Sequence, residues 1–212
     1  MIVKTIIEGN LFVEQGCGTL FIVSGPSGVG KTTVVTELLQ QHGHAYQLDR
    51  MVTYTTKKPR AKDIDGVDYH FITQSEFEDK VAQGFFLEWS GEYGACYGTP
   101  AHVVGELMCG KSYILVIDRL GASQILAKHP EAVLIWIEVS SMDLLSDRLN
   151  LRASESFEQI QTRLLLAKKE IDEELRSPMY HHVVLNNDLK HAVERLFELI
   201  MPRCISVQKD IL

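Results

Sequence analysis

Three short, almost unbroken apolar runs punctuate the chain: TLFIVS (19–24), SYILVID (112–118) and VLIWIEV (133–139). A fourth, HHVVLN (181–186), is shorter and weaker. Their β-branched content and lack of alternation predict strands covered on both faces, as in a parallel sheet. Between them the apolar period lengthens to three and four. Val34, Val35, Leu38 and Leu39 predict a helix over 31–42. Phe157, Ile160, Leu164, Ala167, Ile171 and Leu175 predict one over 155–176, ended by Ser177-Pro178. Leu189, Val193, Leu196, Phe197 and Ile200 mark a last amphipathic helix. Strands alternating with helices predict βαβ units and a doubly wound α/β fold.

The rhythm breaks between about 53 and 108. Gly66, Gly84, Gly91, Gly94, Gly98 and Gly105 fall there, among short alternating pieces such as VDYHFI. We read this stretch as a small mixed α/β insertion on the core. The expected organisation is a single domain over 1–212. Its core spans about 19–52, 109–142 and 166–205, with the insertion at 53–108 and a helical lid at about 143–165. No internal repeat or low-complexity tract suggests separable modules.

A length of 212 residues suffices for one well-buried core. No apolar run approaches a membrane span, and the N-terminal segment lacks a signal-peptide cleavage pattern, so no membrane association is expected. Cys17, Cys96, Cys109 and Cys204 show no paired or metal-ligand spacing, which suits reduced thiols in a cytoplasm. A net charge of -7 argues against nucleic-acid binding by the whole surface.

Against that acidic balance two segments carry chemistry. GPSGVGKT (Gly25, Pro26, Ser27, Gly28, Val29, Gly30, Lys31, Thr32) follows a predicted strand and opens a predicted helix, the context a P-loop requires. Its glycines let backbone N–H groups line an anion nest at a helix N-terminus. Lys31 is placed to reach β- and γ-phosphates, and the Thr32 hydroxyl to ligate Mg²⁺. This predicts binding of a nucleoside triphosphate, taken as ATP, against the bland reading of a chance glycine-rich turn. The second segment, RMVTYTTKKPRAK (50–62), holds five basic residues and no acidic one. A phosphate monoester needs cations and hydroxyls converging from several directions, and Thr53, Lys57, Arg60 and Tyr69 supply both. The alternative is a solvated basic face.

SGPSGVGKTT, TTKKPRAKDIDGVDYHFI, GFFLEWSGEYGACYGTP and LNNDL, spread from about Thr19 to Leu199, resemble the guanylate kinase family of nucleoside monophosphate kinases. The resemblance implies ATP-dependent, Mg²⁺-assisted phosphorylation of GMP, and of dGMP, to the diphosphate. By position it implies that the P-loop through Thr33 holds ATP. Thr53, Lys57, Arg60, Tyr69 and Tyr97 would hold the GMP phosphate, and Glu88, Thr99 and Asp118 would read guanine. Arg148, Arg152 and Arg163 would close over the transferring phosphoryl group. Asn186 would lie near adenine, with Asn187 an adjacent alternative.

Guanine offers N1–H and N2–H₂ as parallel donors to a carboxylate, which adenine lacks. Composition alone equally allows Glu88 to be a surface carboxylate, and Arg148, Arg152 and Arg163 to form ordinary ion pairs with neighbours such as Asp147 and Glu155.

Four positions depart from the family pattern. Lys57 replaces the usual arginine and loses its bidentate fork. LVIDRLG puts Val116 and Leu120 where an aspartate and a glutamine usually stand, and Ala153 replaces a lid glycine. Eighteen residues precede the first core strand, as an added strand or a partner contact, and homo-oligomerisation is left open. Two other functions compete: a ribose 1,5-bisphosphate phosphokinase, and a guanylate-kinase-like module that only binds partners.

Overall fold

The computed structural model describes residues 3–7, 10–14, 17–61, 63–91, 94–151 and 157–204. The chain begins with strands β1 (Val3–Ile7), β2 (Asn10–Glu14) and β3 (Leu20–Ser24), then helix α1 (Lys31–His42) and β4 (Leu48–Arg50). A compact stretch of short elements follows: β5 (Tyr54–Thr55), β6 (His70–Phe71), α2 (Gln74–Ala82), β7 (Phe86–Ser90), β8 (Tyr97–Pro100) and α3 (Val103–Met108). The remainder alternates: β9 (Ser112–Val116), α4 (Arg119–Lys128), β10 (Val133–Glu138), α5 (Met142–Leu151), α6 (Phe157–Arg176), β11 (His182–Leu185) and α7 (Leu189–Ile200).

Five strands form a wholly parallel sheet in the order β11-β10-β3-β9-β4. The four apolar runs thus supply four of its strands. On β3 alternate side chains enter opposite cores, as a period of two demands. Phe21 and Val23 pack with Val34, Val35 and Leu38 of α1 and with Val193 and Leu196 of α7. Leu20 and Ile22 pack with Val103 of α3 and with Ala122 and Ile125 of α4. Helices on both faces make the sheet doubly wound, and the loop after its central strand opens at the carboxyl edge where ligands of such sheets bind.

A second, mixed sheet has the order β6-β5-β8-β7. Here β5 and β6 run parallel, while β8 runs antiparallel to β5 and β7. The mixed character read between 53 and 108 is therefore present. The helix α2 is set by a capping box, in which Thr73 and Glu76 satisfy each other's backbone N–H groups.

Some features were not foreseen. The edge strand β4 and the helices α2, α3 and α4 carry no clear apolar period, whereas α5 falls within the expected helical lid. The second run stops as a strand at Val116, because Asp118 turns its carboxylate to the Gly121 N–H and caps α4. The residues before β3 contain a hairpin, β1 pairing antiparallel with β2 as a separate sheet. The expected lid spans α5 and the start of α6, and Arg152, Ala153 and Glu155 lie outside the described residues. No helix among the described residues is long and apolar enough to cross a membrane.

Leu196 of α7 is fully buried against the α1 side of the sheet. Leu196→Ala should lower the unfolding free energy by about 3 kcal/mol, read as a lower urea midpoint at unchanged slope. A loss below about 1 kcal/mol would mean that this contact is not part of the central core.

Candidate active site

The P-loop forms as its sequence requires. Gly25 has φ +148, and a Cβ there would stand 2.0 Å from the Ile137 carbonyl oxygen of β10, so no other residue fits. The loop leads through Gly30, left-handed at φ 92, into α1. Lys31 Nζ donates to the carbonyls of Gly25 (2.6 Å) and Pro26 (3.0 Å), arching over its own loop. Thr32 and Thr33 are exposed at the first turn of α1.

Two of the three candidate arginines reach this loop. From α6, Arg163 donates to the Ser27 hydroxyl through Nε (3.1 Å) and an Nη (2.9 Å). From α5, Arg148 donates to the Val29 carbonyl (3.4 Å) and the Asn187 carbonyl (3.2 Å). Glu170, unremarked in the sequence, accepts the Ser27 N–H at 3.1 Å. Asn186 and Asn187 separate here. The Asn187 side chain accepts the Ser140 N–H, whereas Asn186, 4% exposed, donates to the Val29 carbonyl at 2.7 Å. Its Oδ1 is a buried acceptor without a hydrogen-bond partner.

The basic segment is not a uniform solvated face. Arg50 is tied to the Val67 and Asp68 carbonyls, Lys58 and Arg60 are exposed, and Thr53 is buried. Lys57 Nζ meets the Asp63 carboxylate at 2.8 Å and stands over the Tyr69 ring, which touches the Tyr97 ring edge-on. Burial acts to raise the Asp63 carboxyl, but Lys57 and the Arg60 N–H outweigh it and hold it below the usual carboxylate range. Burial raises both tyrosine hydroxyls, which therefore remain neutral donors.

Glu88, Thr99 and Asp118 come together at the seam between the sheets. Glu88 is 3% exposed, which removes the surface-carboxylate reading. Its Oε1 accepts the Thr99 N–H (3.1 Å) and hydroxyl (2.6 Å) across the β7–β8 pair. Its Oε2 faces Gly121, where a Cβ would lie only 2.5 Å away. Asp118 accepts the Gly121 N–H (2.7 Å) and the Ser90 hydroxyl. Burial, reinforced by the Asp118 charge, lifts the Glu88 carboxyl to about 7 against the Thr99 hydrogen bonds.

Comparison with known proteins gives this fold and site a family. A sequence model of the family described as guanylate kinase matches residues 17–202. This chain belongs to the guanylate kinase family. A guanylate kinase of Neisseria meningitidis serogroup A is 43% identical over 184 residues, covering 86% of this chain and 87% of that one. A guanylate kinase of Symbiobacterium thermophilum is 40% identical, covering 87% and 85%. The crystal structure of guanylate kinase from Anaplasma phagocytophilum superposes with a TM-score of 0.73 at 25% identity, covering 92% of this chain and 94% of that one.

Set beside the family pattern, the structure adds residues that motif reading passed over. One stripe of α4 is laid along β7: Asp118 meets Ser90, Gly121 meets Glu88, and Gln124 grips the Trp89 backbone on both sides. Lys128 then donates to the Leu87 carbonyl at 2.6 Å. A strand places residues two apart on one face, so Glu88 already implicated Ser90. The helical partners carry no such signal, because they serve a strand edge and not an apolar core.

The carboxyl of Glu88 carries a sign-definite pH dependence. Its folded value, about 7, lies above the ordinary 4.5, so its contribution is intact below about pH 4.5 and is lost as pH rises through 7. Stability of the ligand-free Glu88→Gln protein relative to wild type should therefore improve between pH 5 and 8, by roughly 3 kcal/mol. Urea unfolding across that range measures it. A difference independent of pH would show that Glu88 ionises without cost.

Proposed function

We propose that this protein transfers the γ-phosphoryl group of ATP to GMP, giving ADP and GDP. One observation carries the choice of acceptor: a carboxylate, 3% exposed, whose bonds to Thr99 aim it beside Asp118 at one end of the mixed sheet. The tyrosines and cations of the basic segment belong to the same sheet region. Guanine's N1–H and N2–H₂ satisfy the Glu88–Asp118 pair, whereas AMP leaves a buried carboxylate unmatched. A sugar bisphosphate brings no such donors and would set its own anions against two carboxylates. A non-catalytic binding module has no use for the intact P-loop with two arginines on it.

In this reading Lys31 swings from the Gly25 and Pro26 carbonyls to the β- and γ-phosphates, which the loop amides also receive. Lys57, Arg60, Tyr69 and Tyr97, with Thr53, fix the GMP phosphate in line with the γ-phosphorus. Arg148 and Arg163, already at the loop, neutralise charge that develops on the transferring group, and Arg152 joins them from the expected lid. The partnerless Asn186 Oδ1 suits the adenine amino group.

The Thr32 hydroxyl is exposed where α1 begins, and the described residues contain no cluster of three His, Cys, Asp or Glu side chains fit to hold a metal. That donor set fits Mg²⁺ brought in by the triphosphate, with Thr32 as one ligand. Held there, the ion would supply charge neutralisation to the triphosphate.

The deciding assay is ADP release from ATP and Mg²⁺ with GMP, AMP, CMP, UMP or ribose 1,5-bisphosphate offered separately. We expect turnover with GMP, and kcat/KM for AMP lower by a factor of order 10⁴. Arg60→Ala should raise KM for GMP by roughly tenfold, with a smaller effect on kcat. Turnover with the sugar bisphosphate and none with GMP would overturn the assignment.

A further inference from the structure

We propose that Ser90 is a positioning residue for guanine recognition, its hydroxyl holding the Asp118 carboxylate in the orientation that faces the base. The inference rests on the GMP kinase reading above. Ser90 ends β7 and is 2% exposed, so its hydroxyl is withdrawn from bulk water. It lies two residues from Glu88, on the same face of the strand, and pairs in register with Tyr97 of β8. It therefore stands between the base-reading carboxylate and the phosphate-side tyrosine.

The hydrogen bonds define its task. A carboxylate has about four acceptor positions on its two oxygens. The Gly121 N–H takes one on Asp118 Oδ1 at 2.7 Å, and the Ser90 hydroxyl takes one on Oδ2. Among the described residues no other donor meets Asp118, which leaves acceptor positions for a base. Without Ser90, Asp118 would keep, among the described residues, its capping bond alone, and one bond from a helix start leaves the carboxylate plane free to turn.

Ser90 also acts on Glu88 through Asp118. The charged neighbours of Glu88 are Asp118, which disfavours its ionisation, and Lys128, which favours it. A hydroxyl donated to Asp118 offsets part of that negative field and so eases the ionisation of Glu88 that guanine binding needs.

The test compares Ser90→Ala and Ser90→Thr with wild type in steady-state kinetics, varying GMP and ATP in turn between pH 5.5 and 8.5. Ser90→Ala should raise KM for GMP roughly tenfold while KM for ATP and kcat stay within about threefold. The acid limb of kcat/KM for GMP should move to higher pH. Ser90→Thr retains the hydroxyl on a strand that favours β-branched residues and should recover most of the GMP affinity. A KM for GMP unchanged by Ser90→Ala overturns the proposal, as does a parallel loss for GMP and ATP, which marks a merely structural role. A threonine protein no better than the alanine one overturns it as well. Wild-type protein that does not phosphorylate GMP would instead remove the underlying reading, and the proposal with it.

Discussion

A carboxylate withdrawn from water is the constraint on which the rest of the site depends. Glu88 can be buried at such low exposure only if hydrogen-bond donors meet it and no side chain collides with it. Thr99 provides the donors, and the missing side chain of Gly121 provides the space. Gly121 has to sit in the first turn of α4, so the helix must begin where Asp118 caps it. The same helix then covers the exposed edge of β7 with Gln124 and Lys128, which take up strand N–H and C=O groups that no further strand pairs. One helix thus anchors the mixed sheet to the parallel one and shapes the pocket at their junction.

The groups proposed to handle phosphate follow a different logic. Each is met in this structure by an acceptor of the protein itself: Lys31 by two loop carbonyls, the Ser27 N–H by Glu170, and Lys57 by Asp63. A phosphate carries more charge than a carbonyl and more acceptor oxygens than one carboxylate, so it can displace these partners. Holding donors near their working positions lowers the ordering cost of binding, and it also prevents a cluster of unopposed cations. Lys57 fits this arrangement in place of arginine, because a compact ammonium satisfies Asp63 with one proton and keeps two for a ligand.

Legibility in the sequence tracked the kind of contact each residue makes. The strands β3, β9 and β10 were readable because both faces of each lie in apolar cores, which writes an unbroken hydrophobic run, whereas β11, at the sheet edge, buries Val184 and exposes Val183 and Leu185, which matches its weaker run. The P-loop was readable because backbone geometry restricts Gly25 to one residue type. Glu88 stood open between surface and pocket on composition alone, and only the closure of β7, β8 and α4 around it decides the matter. The helix α4 went unseen because its informative stripe, Asp118, Gly121, Gln124 and Lys128, is polar and faces strand backbone. The strand β4 went unseen for a related reason: at the sheet edge, Leu-Asp-Arg needs only Leu48 to be buried.

The change at Val116 gains a physical meaning from its place. It ends β9, pairs with Val23 one residue before β3 ends, and packs against the α1-side core. An aspartate here would set a carboxylate against the α1-side core and would need its own solvation or a cation. Valine removes that charge and adds apolar contact. In the proposed reaction, positioning of the metal then falls to Thr32 and the phosphates, while charge stabilisation falls to Lys31 and the arginines. Electrostatic help is thereby concentrated on groups that touch the transferring phosphoryl itself. Stabilisation realised there, where charge develops, favours the transition state more than an equal gain spread over the ground state.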